Sequence, residues 1–517
     1  MEENRTKQPF LLESVGIWLL SKIRENKVPL LASFLIGLLA HMFAFANKLV
    51  NHDDVFTLFF KGGTLSLGRW GLGLLDTIFP NYSMPWIYGI LTIALMTAAI
   101  CLIIHIFRIK SKVLQVLLAG AIITFPSLTG TFTYMFTVSS YAVSFLLAVI
   151  AVWLLNRDLK KNFVPAVIVM ILSLSIYQSY VAVAASLLVL IIIREVLYEE
   201  DILPLIQKGC LFVVFLIASL GIYYATTMVI NRFFGPGFNS YAGGNLSFSF
   251  ATIPMDIVDA YTTFFRYLTD GFRGLIPNDF CRVVHALCFA AAGLLLVLWA
   301  LAQKRKRLPR ILLLLSMLAV LPLAINCMHL FTTADAVHTL VLYSFVAIYV
   351  LFAFLADACL ALIPAGKWLR SIALNVVTFG LAALIAANTY IANEAYLCLY
   401  LRYENAYAFY TTLVADLKMQ PEFDEDTKLA VIGTFDEPDF YLDKFYFSDH
   451  ITGTDGFLPD IYSKDRFLEN YLGFPMEFAS DEEIAQITAS SQYEAMAVYP
   501  YYGCMEMIGD TFVVKLS

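Results

Sequence analysis

The sequence has few charged residues: Asp, Glu, Lys and Arg make up 15 % of the 517 residues, whereas 60 % are hydrophobic. A soluble globular chain carries roughly 25 % charged residues. So few polar side chains could not cover an apolar core of this size in water, but a bilayer is itself an apolar solvent. The composition therefore excludes a soluble protein and predicts an all-α polytopic membrane protein.

Several chemical signatures are also missing from the sequence. The eight cysteines are scattered and form no CxxC pair, so neither a zinc site nor a disulfide framework is implied. There is no HExxH, P-loop or dinucleotide fingerprint, and no basic patch with interleaved aromatics that would indicate nucleic-acid binding. Residues 9–23 are amphipathic and no small-residue cleavage site follows, so we expect residues 1–27 to form a cytoplasmic segment lying on the membrane surface.

Long apolar runs predict about eleven transmembrane helices within a domain covering 28–392, because a span needs about 20 apolar residues. The predicted spans are 28–47, 85–106, 113–130, 137–155, 163–178, 180–197, 209–230, 283–302, 311–328, 339–363 and 371–392. Short basic linkers alternate with longer linkers that hold few Lys and Arg, notably 48–84 and 231–282. Since Lys and Arg accumulate on the cytoplasmic side, this predicts the N-terminus inside and both long loops and the C-terminus outside.

Two regions interrupt the apolar pattern. Tyr177-Gln178-Ser179-Tyr180 divides 163–197, which favours two short spans that meet at an outer apex. From Asn393 the composition becomes more polar. An amphipathic helix at 394–418 and strands at 428–434, 495–499 and 511–516 predict a small extracytoplasmic α/β domain over 393–517.

The first long loop contains the most reactive set of side chains. Two adjacent carboxylates, Asp53 and Asp54, follow the first predicted span, where charge is costly. Either could act as a general base, or the pair could bind a divalent metal such as Mg²⁺ or Mn²⁺. Arg69 offers a planar fork for phosphate oxygens and is followed by Trp70. The structural alternative is that Asp53 caps a helix beginning at Asp54, while Arg69 meets lipid head groups.

Other polar residues could bind a sugar or a phosphate. Tyr177 and Gln178 could donate hydrogen bonds to sugar hydroxyls, or they could form a turn that satisfies its own backbone. Arg266 and Arg273 lie in the second long loop, where a solvated loop is the favoured interpretation. His338 flanks a short outer loop together with His329 and Asp335, and its role is open between an interfacial residue and a ligand.

The HDD and GRW motifs in one outer loop, the later YQS motif and the C-terminal segment together resemble a family of bacterial membrane glucosyltransferases. This family is related to the phage serotype-converting O-antigen glucosyltransferases and belongs to the GT-C superfamily; the resemblance covers most of 30–420. It implies a GT-C-like enzyme of the bacterial cytoplasmic membrane that moves a hexose, glucose being expected, from a polyprenyl-phosphate carrier to a cell-surface glycan.

The resemblance also implies roles for residues. Asp53 or Asp54 would activate the acceptor hydroxyl for an inverting displacement, and Arg69 or an arginine of 231–282 would stabilise the leaving phosphate. Some relatives have only a short C-terminal tail, and we expect the extended domain of this chain to bind the acceptor polymer. The bilayer, the lipid-linked donor and the glycan acceptor are then the expected partners, with no nucleic acid.

The residues leave other functions open. A flippase or exporter of lipid-linked saccharides should show inverted repeats and ionisable residues at mid-membrane depth, and these are few here. A polysaccharide polymerase should concentrate paired arginines in its outer loops, where Arg266 and Arg273 are the only close pair. A purely structural assembly partner has no positive sign in the sequence.

Overall fold

The computed structural model describes residues 11–59, 64–80, 82–235, 251–269, 278–303, 307–332, 337–364, 368–424, 426–434, 451–454 and 463–517. Its α-helices are α1 Leu11–Glu25, α2 Lys27–Ala46, α3 His52–Thr57, α4 Trp70–Leu75, α5 Pro85–Phe107, α6 Lys112–Ile123, α7 Pro126–Thr133, α8 Val138–Arg157, α9 Phe163–Ile176, α10 Tyr180–Tyr198, α11 Leu203–Phe234, α12 Ile253–Thr269, α13 Asp279–Ala302, α14 Arg307–Ile325, α15 Val346–Leu362, α16 Trp368–Lys418, α17 Lys464–Arg466, α18 Asp481–Thr488 and α19 Ser491–Ala495. Two 3₁₀ helices, Cys327–Leu330 and Thr339–Phe345, precede α15, and a π-helical turn, Phe467–Tyr471, follows α17.

The helices confirm a polytopic, all-α membrane region. Within the described ranges, nine helices are long and apolar enough to span a bilayer, or ten if the bent pair α6–α7 counts as one span. The one predicted span left over, 163–178, corresponds to α9. This helix has 14 residues and is shorter than the about 20 residues that a perpendicular span needs. At the N-terminus, α1 is a helix as predicted, while its location on the membrane surface stays a prediction.

The break between α6 and α7 is caused by Pro126. Proline lacks an N–H and disfavours helical backbone at the preceding residue, and Phe125 is accordingly extended (φ −62°, ψ 137°). The chain bends by 41° here. The break leaves two backbone carbonyls without helical donors, so the Tyr343 hydroxyl donates to Ile122 O (2.8 Å) and His41 Nε2 lies 2.8 Å from Ile123 O. Side chains from other helices therefore satisfy the broken backbone inside the membrane.

The predicted interruption at 177–180 is confirmed. Helix α9 ends at Ile176, Tyr177 is extended (φ −150°, ψ 111°), and α10 starts at Tyr180. Helices α8 and α9 pack side by side, and the Ser144 and Ser173 hydroxyls each donate to the other residue's carbonyl at 2.8 Å. Tyr177 and Gln178 are thereby held in the turn between two anchored helices.

Helix α16 connects the membrane region to the C-terminal part of the chain. It is 51 residues long and continuous, so the expected domain boundary at 393 falls inside a helix. Three strands pack against its last turns: β1 (Lys428–Ile432), β2 (Met505–Ile508) and β3 (Thr511–Lys515).

The strands form one sheet in the order β1–β3–β2. Strand β3 is parallel to β1, with Lys428 opposite Thr511, and antiparallel to β2, with Met505 opposite Val514. Alternate side chains cover both faces. One face packs on α16 and on 467–474 through Leu429, Val431, Phe512 and Val514; the other packs near α18 through Ala430, Ile432 and Val513.

The predicted strand at 495–499 is wrong. Helix α19 ends at Ala495, and no strand covers the residues that follow up to Tyr499. The central strand β3 has only two edges, and β1 and β2 occupy both of them. The strands expected at 428–434 and 511–516 are present as β1 and β3.

Candidate active site

The loop that contains Asp53 and Asp54, called the acidic loop below, forms the short helix α3, which begins at His52, whereas the membrane helix α2 ends at Ala46. Its N-cap is Asn51, whose side chain accepts a hydrogen bond from Asp54 N at 2.9 Å. The Asp54 carboxylate in turn accepts from Asn51 N at 3.5 Å, which completes a reciprocal capping box. The structural alternative, in which Asp53 is the cap, is therefore wrong in its residue, although the helix itself exists.

Asp54 lies in a buried environment. The residue is 4 % exposed, and the Ser83 hydroxyl donates to its Oδ1. Burial raises the pKa of Asp54 from 3.8 to about 7, against the opposing effects of Ser83, the Asn51 backbone and the positive charge of Lys48. Asp54 is thus a carboxyl whose hydrogen bonds and capping role hold α3 in place.

Asp53 has a different environment on the same helix. Its side chain is 40 % exposed, and its Oδ1 lies 3.9 Å from His52 Nε2. The His52 ring packs edge-on against Tyr134, with 6.4 Å between ring centroids. Of the two adjacent carboxylates, Asp53 is the one that solvent and a bound molecule can reach.

Arg69 meets the two residues of the α9–α10 turn that the sequence singled out. Its Nε donates to Gln178 Oε1 at 3.3 Å, and its guanidinium lies 5.1 Å from the centre of the Tyr177 ring. A further N–H donates to the Tyr141 hydroxyl at 3.0 Å. The fold therefore brings Arg69 to Tyr177 and Gln178, although more than 100 positions separate Arg69 from these two residues in the chain.

The backbone around Arg69 is fixed by close packing. Gly68 has a positive φ of 72°, which favours glycine, and its carbonyl accepts from the Tyr223 hydroxyl at 3.0 Å. Gly71 lies so close to Ser175 that a Cβ at this position would overlap the serine side chain. Trp70 begins α4, and its buried indole N–H finds no hydrogen-bond partner within the described part of the chain.

The acidic helix and the Arg69 cluster lie at the same end of α8. The Asn51 amide donates to Thr133 O at 2.8 Å, and Tyr134, next in the chain, is the residue that packs on His52. Tyr141, the partner of Arg69, is in the first turn of α8, a few residues further along. The acidic helix and Arg69 therefore contact the same segment, 133–141, and this arrangement is suited to a site that binds a hydroxyl group and a phosphate group.

The other predicted binding residues lie away from Arg69 and the α9–α10 turn, or outside the described residues. His338 Nδ1 is 3.4 Å from the Thr452 hydroxyl, so His338 contacts the C-terminal part of the chain. Arg266 is exposed on α12. Arg273 lies outside the described residues, as does Asp335. His329 is buried beside Thr263, with Nε2 and Oγ1 3.0 Å apart, and its burial lowers its pKa.

Residues of the C-terminal part contact the acidic loop, a feature that sequence reasoning missed. Val50 and Val55, on either side of the acidic pair, are fully buried in one cluster with Tyr410, Phe467 and Phe512, among others. The ammonium group of Lys48 lies 4.7 Å above the centre of the Tyr471 ring. No signal in a single sequence links Lys48 to Tyr471, more than 400 residues away. The position of Lys48 just after the first span was the one feature that pointed to this lysine.

The donor set does not fit a divalent metal. Both oxygens of Asp54 already accept hydrogen bonds from Ser83 and Asn51, and in the described ranges no group of three or more His, Cys, Asp or Glu side chains is arranged to hold an ion. Mg²⁺ and Mn²⁺ need several oxygen ligands.

The chain matches a known protein family. The family model described as "Glucosyl transferase GtrII" matches residues 42–356, which is more than half of the chain and includes α3, Arg69 and the α9–α10 turn. No curated protein and no solved structure matches the chain.

Proposed function

The chain belongs to the GtrII family of glucosyl transferases, and from this premise we propose that it transfers a hexose, glucose in the first instance, from a polyprenyl-phosphate carrier to a cell-surface glycan. The observation that carries the proposal is the position of an exposed carboxylate and an aromatic-bound guanidinium at one end of α8. Glycosyl transfer from a lipid phosphate requires a base for the acceptor and a cation for the leaving group.

The proposed orientation rests on charge. The linkers Arg108–Lys112, Arg157–Lys161 and Lys367–Arg370 are short and basic, which favours the cytoplasm, while α3 and α4 belong to a loop on the opposite side of α5. The site then lies on the outer face of a bacterial cytoplasmic membrane, as does the C-terminal part. Nucleotide sugars are made in the cytoplasm, so a site on the outer face needs a donor that the membrane itself carries.

In the proposed reaction, Asp53 is the general base. Its carboxylate takes the proton of an acceptor hydroxyl as the oxygen attacks the anomeric carbon, the bond from that carbon to the phosphate oxygen breaks, and polyprenyl phosphate leaves with the electron pair. A single displacement inverts the anomeric configuration. Support for Asp53 comes from its exposure and from the neighbouring His52, which can orient the carboxylate.

Asp54 is proposed as the positioning residue of the pair. Its carboxylate is engaged by the capping box and by Ser83, and it is almost fully buried. Its contribution is to fix α3, and hence the direction of the Asp53 side chain, relative to Thr133 and α8.

Arg69 is the proposed cation for the donor phosphate. It is held by Tyr141, Tyr177 and Gln178, and a restrained guanidinium loses little freedom on binding. Trp70, with its buried N–H, and Tyr177 would line the sugar or phosphate side of the site. Arg266 on α12, together with Arg273 and His338, remains a proposed donor-binding residue.

The test compares three carboxylate variants in membrane vesicles that contain polyprenyl-phosphate glucose and acceptor glycan. Asp53→Asn should lower the transfer rate by about 10²–10⁴-fold, which is the usual contribution of a general base. Asp54→Asn should cost much less, because an amide retains an acceptor for Ser83. Asp76→Asn, in the same loop, is the control that should leave the rate unchanged. Transfer by Asp53→Asn at the wild-type rate would reject the assignment.

Two further measurements test the wider proposal. Mass spectrometry of surface polymer from cells with and without the gene should show hexose only with the active protein; an unchanged sugar content would favour a transporter or a structural protein. A cysteine introduced near Asp54 should react with a membrane-impermeant reagent in intact spheroplasts. Labelling that requires lysis would contradict the orientation.

A further inference from the structure

Lys48 lies at the junction of the membrane helix α2 and the acidic helix α3. Helix α2 ends at Ala46, and Lys48 is exposed, four residues before the N-terminal residue of α3. Its positive charge acts on the Asp54 carboxyl, so its ammonium group is near the acidic pair. A lysine at the end of a membrane span lies at the depth where lipid phosphates are found.

The position of this ammonium group is set by the C-terminal part of the chain. Lys48 Nζ lies 4.7 Å from the centre of the Tyr471 ring, within the range of a cation–π contact. The Tyr471 ring is itself stacked on Phe467, with centroids 5.4 Å apart and planes within 9°. Phe467 is completely buried in the cluster that also contains Val50 and Val55, so the aromatic surface is rigidly joined to the acidic loop.

An ammonium group positioned in this way can bind a phosphate group whose negative charge increases during the reaction. A sugar linked to polyprenyl phosphate is a phosphodiester with one negative charge, whereas the released polyprenyl phosphate is a monoester that carries up to two. A nearby ammonium group therefore binds the departing phosphate more strongly than the intact donor, and such a difference accelerates the chemical step. A cation–π contact at an exposed site is weak, so it orients the side chain without trapping it.

We propose that Lys48 is a second phosphate-binding cation of the site, and that Tyr471 of the C-terminal part is the positioning residue that holds it beside the acidic helix. The ligand chemistry is a lipid-linked phosphate monoester. This inference rests on the proposed glycosyl transfer, but it concerns phosphate binding and can be measured without transfer. It also gives the C-terminal part a role in the chemistry of the site, beyond binding an acceptor.

The experiment measures binding of polyprenyl monophosphate to the full-length protein in nanodiscs, together with the donor KM and kcat where transfer is observed. Lys48→Ala should weaken binding by about fivefold or more, the loss expected for one charge-assisted contact. Lys48→Arg should retain most of the binding. Lys418→Ala is the matched control, because Lys418 makes the same kind of contact with Phe474, at 5.3 Å, two turns beyond Tyr410 on α16. It should bind as the wild type does.

Variants of Tyr471 distinguish positioning from a general structural role. Tyr471→Phe keeps the ring and should bind like the wild type, whereas Tyr471→Leu should weaken binding. If Tyr471 acts through Lys48, Tyr471→Leu should add nothing in the Lys48→Ala background. Binding by Lys48→Ala at the wild-type level, or additive losses in the double variant, would overturn the inference. Normal phosphate binding without any sugar transfer would instead reject the proposed function and leave this inference standing.

Discussion

The raised pKa of Asp54 makes the stability of the protein depend on pH in a defined direction. In the folded protein its pKa is about 7, against 3.8 for an ordinary Asp, because the residue is buried. A group whose folded pKa is raised contributes its full stability below the unfolded pKa. That contribution falls as the pH rises from about 3.8 and is lost once the pH has passed about 7.

The size of the effect follows from the two pKa values. At one pKa unit per 1.36 kcal/mol, moving from pH 5 to pH 8 should lower the free energy of unfolding by about 2.5 kcal/mol through Asp54 alone. Asp54→Asn removes the titrating group and should lack this part of the pH dependence. Ser83→Ala removes a hydrogen bond that favours the charged carboxylate, so it should raise the pKa further and increase the dependence.

The assay is thermal unfolding of the purified protein in detergent at pH 5 and pH 8, for the wild type and both variants. Other titrating groups affect all three proteins, so the informative quantity is the difference between them. The wild type should lose a few degrees more than Asp54→Asn between the two pH values, in line with the usual relation between stability and melting temperature. A parallel loss in the wild type and Asp54→Asn would refute the assignment of a buried, partly protonated carboxyl.

Substitutions at three other residues test the fold and the site. Gly71→Ala should lower the free energy of unfolding by about 1–3 kcal/mol, because the new Cβ overlaps Ser175. A melting temperature equal to that of the wild type would contradict the close packing of α4 on α9. His41→Leu should lower the free energy of unfolding by about 1–3 kcal/mol, because it leaves the Ile123 carbonyl without a donor inside the membrane. In the same thermal unfolding measurement, His41→Gln should recover part of this loss. Arg69→Lys should reduce the transfer rate about tenfold or more while leaving expression unchanged, since an ammonium cannot reproduce the planar fork; wild-type kinetics would exclude Arg69 from phosphate binding.

The sequence singled out candidate site residues, whose roles stay predictions, but it did not predict how they are arranged. It identified Asp53, Asp54, Arg69, Tyr177 and Gln178 from their chemistry and from their positions at the ends of apolar runs. It could not assign different environments to the two aspartates, because these depend on Ser83 and Asn51 folding over one carboxylate and leaving the other exposed. The sequence also assigned the wrong capping residue, because several residues near the start of a helix can serve as its cap.

The sequence was sufficient to determine that this chain is a polytopic membrane protein. This followed from its hydrophobic composition, the spacing of its apolar runs and the distribution of Lys and Arg, because each span depends on its own residues and on the bilayer. The tertiary structure alone decided which distant residues meet. The contact of Arg69 with Tyr177 and Gln178 depends on how α4 packs on α9, and the contact of Lys48 with Tyr471 depends on α16 carrying the C-terminal part back to the acidic loop. Local physics forms the helices, whereas the site depends on packing between segments that the order of residues does not reveal.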